Sequence, residues 1–475
     1  MKKKCLNNIS FFIDKLYLIN DWHLCPFFIP LNWDDIMLPN EFKDRMKLLL
    51  KDKYDEFINT YNNPNVKSIR VNTNKISVEA FLEINPFKLT PIPYTKDGFY
   101  VEESSLGNYP YHHAGLFYVQ DPAAMMPVNC LEIQPNWLVL DLCAAPGGKS
   151  IQIASKLTNG ILVSNEINYN RAKILFSNIE RMGLTNTVIL NNDSYSLSKK
   201  FINKFDAIFI DAPCSGEGMF RKDPNAIKEW SLKKVDECAS KQKELLKHAD
   251  IMLKDGGFLV YSTCTYSLEE NELMISNFLK EYDYEVVELP KIIKDNTAPG
   301  YVDETIDKRL INSARFYPHV APGEGQFVCV LKKKGVLVNN TFEFKTNDLI
   351  NKYVNDIELK VNAYQYQNKF YHKLPIDLDN LKIVSGGVQL GELVNNRFIY
   401  HHNIVTAYGN NFKNKLNLTL EDPRLNKYLH GEEINDPTVA NGYGVILVNN
   451  YPLGLFKASN GTLKNHYPKG LRTVK

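Results

Sequence analysis

Between residues 137 and 331, short apolar runs alternate with stretches of helical period, and this alternation constrains the fold more than any other feature of the chain. Residues 137–142, 160–165, 188–191, 205–210 and 258–262 read as strands, each a brief apolar run closed by polar or turn residues. Residues 149–157, 168–182, 231–253 and 268–280 read as helices, the third with Leu232, Val235, Leu245, Leu246, Ala249 and Met252 facing inward. Strands separated by helices pair in parallel, because each crossover returns the chain to the same end of the sheet, and such a sheet is covered on both faces. The expected class is α/β with a Rossmann-like open sheet, to which residues 284–289 and 327–331 add edge strands.

At 475 residues the chain exceeds what one core organises, so flanking domains are expected. Residues 1–36 carry no dependable period and read as an extension. Residues 37–130 form an N-terminal domain that opens with an amphipathic helix over 41–61, striped by Phe42, Met46, Leu49, Leu50, Phe57 and Ile58. Short strands and turns dense in Pro and aromatics follow. Residues 131–335 hold the alternating pattern, which stops at Lys332-Lys333-Lys334-Gly335. Residues 340–475 are expected to form a separate β-rich module with a hairpin around Asn449-Asn450.

A 44% share of hydrophobic residues and 23% of charged ones suits a soluble globular protein, and a net charge of +2 creates no global basic field. Basic residues gather late: residues 456–475 hold five Lys and Arg and no acid, interleaved with Phe456, His466 and Tyr467. That pattern fits a phosphate backbone or a solvated terminus equally well. The eight cysteines, at 5, 25, 130, 143, 214, 238, 264 and 329, never lie two to four residues apart, so their spacing argues against a metal site. Asp14, Lys15, Asp21 and His23 interrupt the apolar stretches of the first 30 residues, and no small-residue cleavage site follows. Reduced thiols in the cytoplasm are therefore expected. No run of about 18 apolar residues occurs, so no membrane span is expected.

Ligands of open α/β sheets bind at the carboxyl ends of the strands. Five informative positions fall there: Cys143-Ala144-Ala145-Pro146-Gly147-Gly148-Lys149, then Glu166, Asp193, Asp211-Ala212-Pro213-Cys214 and Ser262-Thr263-Cys264. Small residues and two glycines let a ligand approach the backbone of the turn, Glu166 suits a pair of ribose hydroxyls, and Asp193 an adenine amino group. Taken singly, each has a plainer explanation: a turn, a helix cap, a buried inert cysteine. Five on successive strand ends favour a site. Gly148-Lys149-Ser150 also resembles the end of a phosphate-binding loop, but that pattern needs glycine where Cys143 stands, and Pro146 removes a backbone donor. A non-catalytic RNA-binding scaffold would make both strand-end cysteines accidental.

Two such cysteines suit one reaction. Carbon 5 of cytosine is too weak a nucleophile to take a methyl group unaided. A thiolate that adds to carbon 6 makes carbon 5 enamine-like, after which the proton on carbon 5 must leave and the thiol must be expelled. Cys264, Cys214 and Asp211 supply a nucleophile, an acid–base group and a carboxyl for N3. Strand geometry alone leaves open which cysteine attacks.

Three long motifs carry a resemblance. Asp141-Leu142-Cys143-Ala144-Ala145-Pro146-Gly147-Gly148-Lys149, residues 211–224 (DAPCSGEGMFRKDP) and Tyr261-Ser262-Thr263-Cys264-Thr265-Tyr266-Ser267 resemble the Nol–Nop–Sun family of RNA cytosine-5 methyltransferases. Ile69-Arg70-Val71-Asn72-Thr73, Tyr118-Val119-Gln120-Asp121-Pro122 and residues 463–470 are similar to its bacterial RsmF-type branch, which modifies a cytosine in small-subunit (16S) ribosomal RNA. The resemblance implies a class I methyltransferase sheet, S-adenosylmethionine as cofactor, and contacts to it from residues 143–149, Glu166, Arg171, Asp193 and Asp211. It further implies that Cys264 is the nucleophile, that Cys214 assists release, and that residues 37–130 and a C-terminal PUA-like module hold the RNA. RNA, as 16S rRNA or the small ribosomal subunit, is the expected partner of a monomer. Residues 1–36 have no counterpart in that pattern.

Overall fold

The computed structural model describes residues 38–473; the extension expected over residues 1–36 lies outside them. A ten-stranded sheet forms the centre. Its strands are β1 (Leu138–Asp141), β2 (Ile161–Asn165), β3 (Thr187–Leu190), β4 (Phe205–Asp211), β5 (Leu253–Thr263), β6 (Tyr284–Val286), β7 (Ala298–Pro299), β8 (Ala314–Phe316), β9 (Gln326–Lys333) and β10 (Ile383–Ser385). They run in the order β7-β8-β9-β5-β4-β1-β2-β3-β10, with β6 on β9. The β3-β2-β1-β4-β5 core is parallel, and β9 is antiparallel to β5. Chain order reverses between β1 and β4, which places the switch point where the Cys143 turn and Asp211 emerge.

Period-two alternation sends successive side chains of each strand to opposite faces. Val139, Leu162, Phe209 and Val260 fill one core with the helices Pro122–Asn129 and Gly148–Ala154. Leu140, Val163, Ile210 and Tyr261 fill the other with Leu232–Met252 and Glu272–Glu281. In the 232–252 helix Val235, Leu246, Ala249 and Met252 are buried as expected. Leu232 is 47% exposed, because it is the first helical residue and lies beyond the packed face.

The helix expected over 41–61 is divided. Asn40–Leu50 ends at Lys51, whose φ of 50° is left-handed, and Tyr54–Asn59 follows after a 3₁₀ turn. Phe42, Met46 and Phe57 are buried against Phe220, Trp230 and Tyr266 of the sheet domain. An antiparallel sheet of Leu89–Pro91, Gly98–Val101, Ser68–Val71 and Phe117–Val119 completes this region.

The alternation ends near residue 335, but the chain does not leave the central sheet there. Leu374, Ile376, Leu378 and Leu381 pack into the sheet core, and β10 pairs with β3 through Ile383↔Leu190. The chain then builds a four-stranded sheet over 363–400 and a five-stranded sheet over 415–465, the latter holding the expected hairpin (Gly442–Val448, Tyr451–Ser459) with Asn449 and Asn450 at positive φ. Leu416, Leu425, Ile446 and Phe456 share one core with Ile69, Val71, Phe81 and Phe117.

Candidate active site at the strand ends

The turn after β1 enters the helix Gly148–Ala154 through Gly147, whose φ of 117° favours glycine. Both glycines have packing reasons the sequence did not show. A Cβ on Gly147 would stand 3.0 Å from Cδ1 of Leu175, and one on Gly148 would stand 3.0 Å from Tyr118 and 3.2 Å from Gln120. Gly148 is thus where the N-terminal domain presses on the turn, with Arg70 donating to its carbonyl at 3.1 Å. Gly148→Val should destabilise the protein by about 1–3 kcal/mol, the cost of overpacking a fitted contact, and denaturant unfolding monitored by tryptophan fluorescence checks this.

Lys149 extends to Asp211 at 2.8 Å, and Asp211 also accepts from Ser262 Oγ at 2.9 Å and Gln326 Nε2 at 3.3 Å. One carboxylate is therefore fixed by residues from the turn, β5 and β9. Glu166, at the end of β2, is buried; its Oε1 accepts from the Asn168 amide at 2.9 Å, and Arg171 approaches Oε2 at 3.4 Å. Arg171 also donates to the Ala145 carbonyl at 2.7 Å, so it ties the turn to the β2 acid. Asp193 caps the helix Ser194–Lys200, accepting at 2.8 Å from both the amide and the hydroxyl of Ser196. Those bonds, foremost the amide, hold its carboxyl below the usual range.

Cys214 and Cys264 meet with their sulfurs 3.1 Å apart, a hydrogen-bonded pair well beyond the roughly 2.05 Å of a disulfide. The hydrogen bond to Cys264, together with burial, pushes the Cys214 thiol well above its ordinary value. The two cysteine loops also bind each other: the Gly218 amide donates to the Cys264 carbonyl at 2.9 Å.

Several participants escaped the sequence reading. Asp141 is buried beneath the turn with Oδ2 on Ser150 at 2.6 Å and Oδ1 unpartnered, and burial pushes its carboxyl up to about 7. Asp141 was visible as the first residue of a motif, but not as part of a site. Glu217 and Glu270, both buried, sit under the cysteine loops. Glu270 lies in the stretch read simply as a helix over 268–280, where nothing local marks an acid as special.

Asp141, Glu166, Asp193 and Asp211 form an acidic set, with Lys149 on Asp211, Arg171 on Glu166 and Lys382 near Asp193. Such a set suits a cationic ligand with hydroxyl and amino donors, and opposes a triphosphate. The unpartnered Oδ1 of Asp141 and the acids at the ends of β2 and β3 fit S-adenosylmethionine, whose ammonium, ribose hydroxyls and adenine amine are all donors.

Comparison with known proteins agrees over 92% of the chain. Family models described as 16S rRNA methyltransferase RsmB/F, the N-terminal domain of 16S rRNA methyltransferase RsmF and the methyltransferase RsmF PUA domain match residues 128–332, 38–122 and 415–473. Ribosomal RNA small subunit methyltransferase F of Vibrio campbellii is 32% identical, covering 92% of this chain and 98% of that protein. The protein of the same name from Vibrio vulnificus is 34% identical over 92% and 98%. A methyltransferase homologue from Pyrococcus horikoshii of known crystal structure is 29% identical, with a TM-score of 0.56 over 63% of this chain and 96% of that one. With a class I methyltransferase sheet, an RsmF-type N-terminal domain and a C-terminal PUA domain, the chain belongs to the RsmF family of 16S rRNA methyltransferases.

Proposed function

We propose that this protein methylates carbon 5 of a cytosine in RNA, with 16S rRNA as the substrate, through a covalent bond between Cys264 and carbon 6 of the base. The observation that carries this reading is the pair of thiols 3.1 Å apart on adjacent strand ends. Methylation of an exocyclic amine requires neither thiol. S-adenosylmethionine supplies a methyl group on an electrophilic sulfonium, and residues 143–149, Glu166, Arg171, Asp193 and Asp211 would hold it.

The chain's own residues divide the remaining work. Cys264 adds as the thiolate to carbon 6, and the carboxylic acid form of Asp211, oriented by Lys149, Ser262 and Gln326, would donate to N3 as negative charge develops there. The hydrogen bond to Cys264 and burial hold the Cys214 thiol well above its ordinary value, which suits it to acid–base work rather than to attack. After methyl transfer, Cys214, its own proton lost to solvent, takes the carbon 5 proton; the ring double bond re-forms and the carbon 6–sulfur bond breaks, with Cys264 leaving as the thiolate. The N-terminal domain and the PUA domain hold the RNA, and their contacts offset the few kcal/mol needed to unstack the base. Bisulfite mapping of 16S rRNA from cells with and without the gene should show a cytosine protected only when the protein is present. Identical conversion patterns would overturn the reading.

A further inference from the structure

Beneath the two cysteines, a row of hydrogen bonds joins the residues that follow them. Ser215 Oγ lies 2.8 Å from Thr265 Oγ1, and Thr265 Oγ1 lies 3.0 Å from Oε2 of Glu217. At the other end Ser215 Oγ is hydrogen-bonded to Oε1 of Glu270. Four oxygens in a row leave three gaps, and each gap needs one proton. The two hydroxyls supply two.

The third proton must sit on one of the carboxyls. Glu217 has four donors: Thr265 and the Tyr266 amide on Oε2, both at 3.0 Å, and Ser267 Oγ at 2.7 Å and Trp230 Nε1 at 3.0 Å on Oε1. With two donors on each oxygen, neither oxygen of Glu217 is left to act as a hydroxyl. Glu270 receives its two N–H donors, Ser215 N at 3.0 Å and Gln242 Nε2 at 2.9 Å, on Oε2 alone. That is the pattern of a carboxylic acid: Oε2 as the carbonyl oxygen, Oε1 as the hydroxyl. Among the described residues neither Glu217 nor Glu270 has a cation within 4.0 Å.

We infer that Glu270 is a neutral carboxylic acid that donates from Oε1 to Ser215, so that one directed chain, Glu270 to Ser215 to Thr265 to Glu217, locks the Cys214 and Cys264 loops together. Glu270 is a positioning residue for the proposed reaction and rests on that reading for its consequence. Burial agrees, pushing the Glu270 carboxyl up to about 7. The groups around it are Cys214 and Cys264 on the strand-end loops, Cys238 and Gln242 on the 232–252 helix, Tyr261 on β5, Glu217 below, and Arg45, which is itself paired with Glu269.

Three measurements on the full chain test this. Glu270→Gln keeps a neutral donor toward Ser215 and an acceptor for the two N–H groups, so it should retain methyl transfer within about threefold and lose the decline of the wild type above about pH 7. Glu270→Ala should lose about 10²-fold, the scale of a 1 Å misplacement. Loss by Glu270→Gln as deep as by Glu270→Ala would mean that an ionised carboxylate is required and would overturn the inference. Infrared difference spectra, wild type minus Glu270→Gln at about pH 5.5, should show the carbonyl stretch of a protonated acid. Its absence would equally overturn it. Thirdly, the folded acid keeps its proton to higher pH than the unfolded one, so the wild type should lose melting temperature relative to Glu270→Gln as pH rises through about 7. A pH-independent difference would count against a titrating Glu270. The infrared and melting readouts involve no methylation, so they stand even if the roles proposed for the cysteines fail.

Discussion

Cys264→Ala should abolish methyl transfer, by about 10⁴-fold or more, and should never trap RNA, whereas Cys214→Ala should accumulate as a protein–RNA conjugate on a denaturing gel. The magnitude follows from the role: removing a covalent nucleophile leaves only binding and orientation. The traces differ because the two thiols act at different times. Without Cys264 no bond to carbon 6 forms. Without Cys214 the bond forms and the methyl group is transferred, but release from the base stalls. The bond to Cys264 and burial raise the Cys214 thiol, which fits an acid–base role for it in the proposed order. A conjugate with Cys264→Ala and none with Cys214→Ala would reverse the two roles and leave the reaction class intact.

A chain ending at residue 339 should not fold stably, and its expected signature is insolubility or a melting temperature lower by more than about 10 °C. The sequence pattern alone suggests a separate module beyond residue 340, without which the central sheet would still fold. The structure instead places β10 on β3 and Leu374 in the sheet core, and merges Leu416, Leu425, Ile446 and Phe456 with the core of the N-terminal domain. Uncovering Ile69, Val71, Phe81 and Phe117 costs about 1.5–3 kcal/mol for each side chain fully exposed. The sum rivals the roughly 5–15 kcal/mol that holds a domain folded. Differential scanning calorimetry of the shortened chain checks this. A cooperative transition at the temperature of the full chain would show the C-terminal region to be independent.

What the sequence determined by itself was whatever local pattern encodes. The short apolar runs of β1–β5 and the period near 3.6 in the 232–252 helix are properties of short windows, and a parallel sheet places every strand end at one edge. Hence Cys143–Lys149, Glu166, Asp193, Asp211, Cys214 and Cys264 were legible as one constellation of strand ends from the sequence. The tertiary structure decided what depends on partners distant in the chain. Lys51 breaks the first helix with a single left-handed residue, which helix propensity does not signal. Residues 383–385 become a strand because the open edge of β3 satisfies their backbone groups. Gly148 is glycine because Tyr118 and Gln120 occupy the space of its Cβ. Glu217 and Glu270 gain their roles only when the Cys214 and Cys264 loops, 50 residues apart in sequence, meet above them. A carboxyl's protonation state is set by the donors around it, and those donors are assembled by the fold.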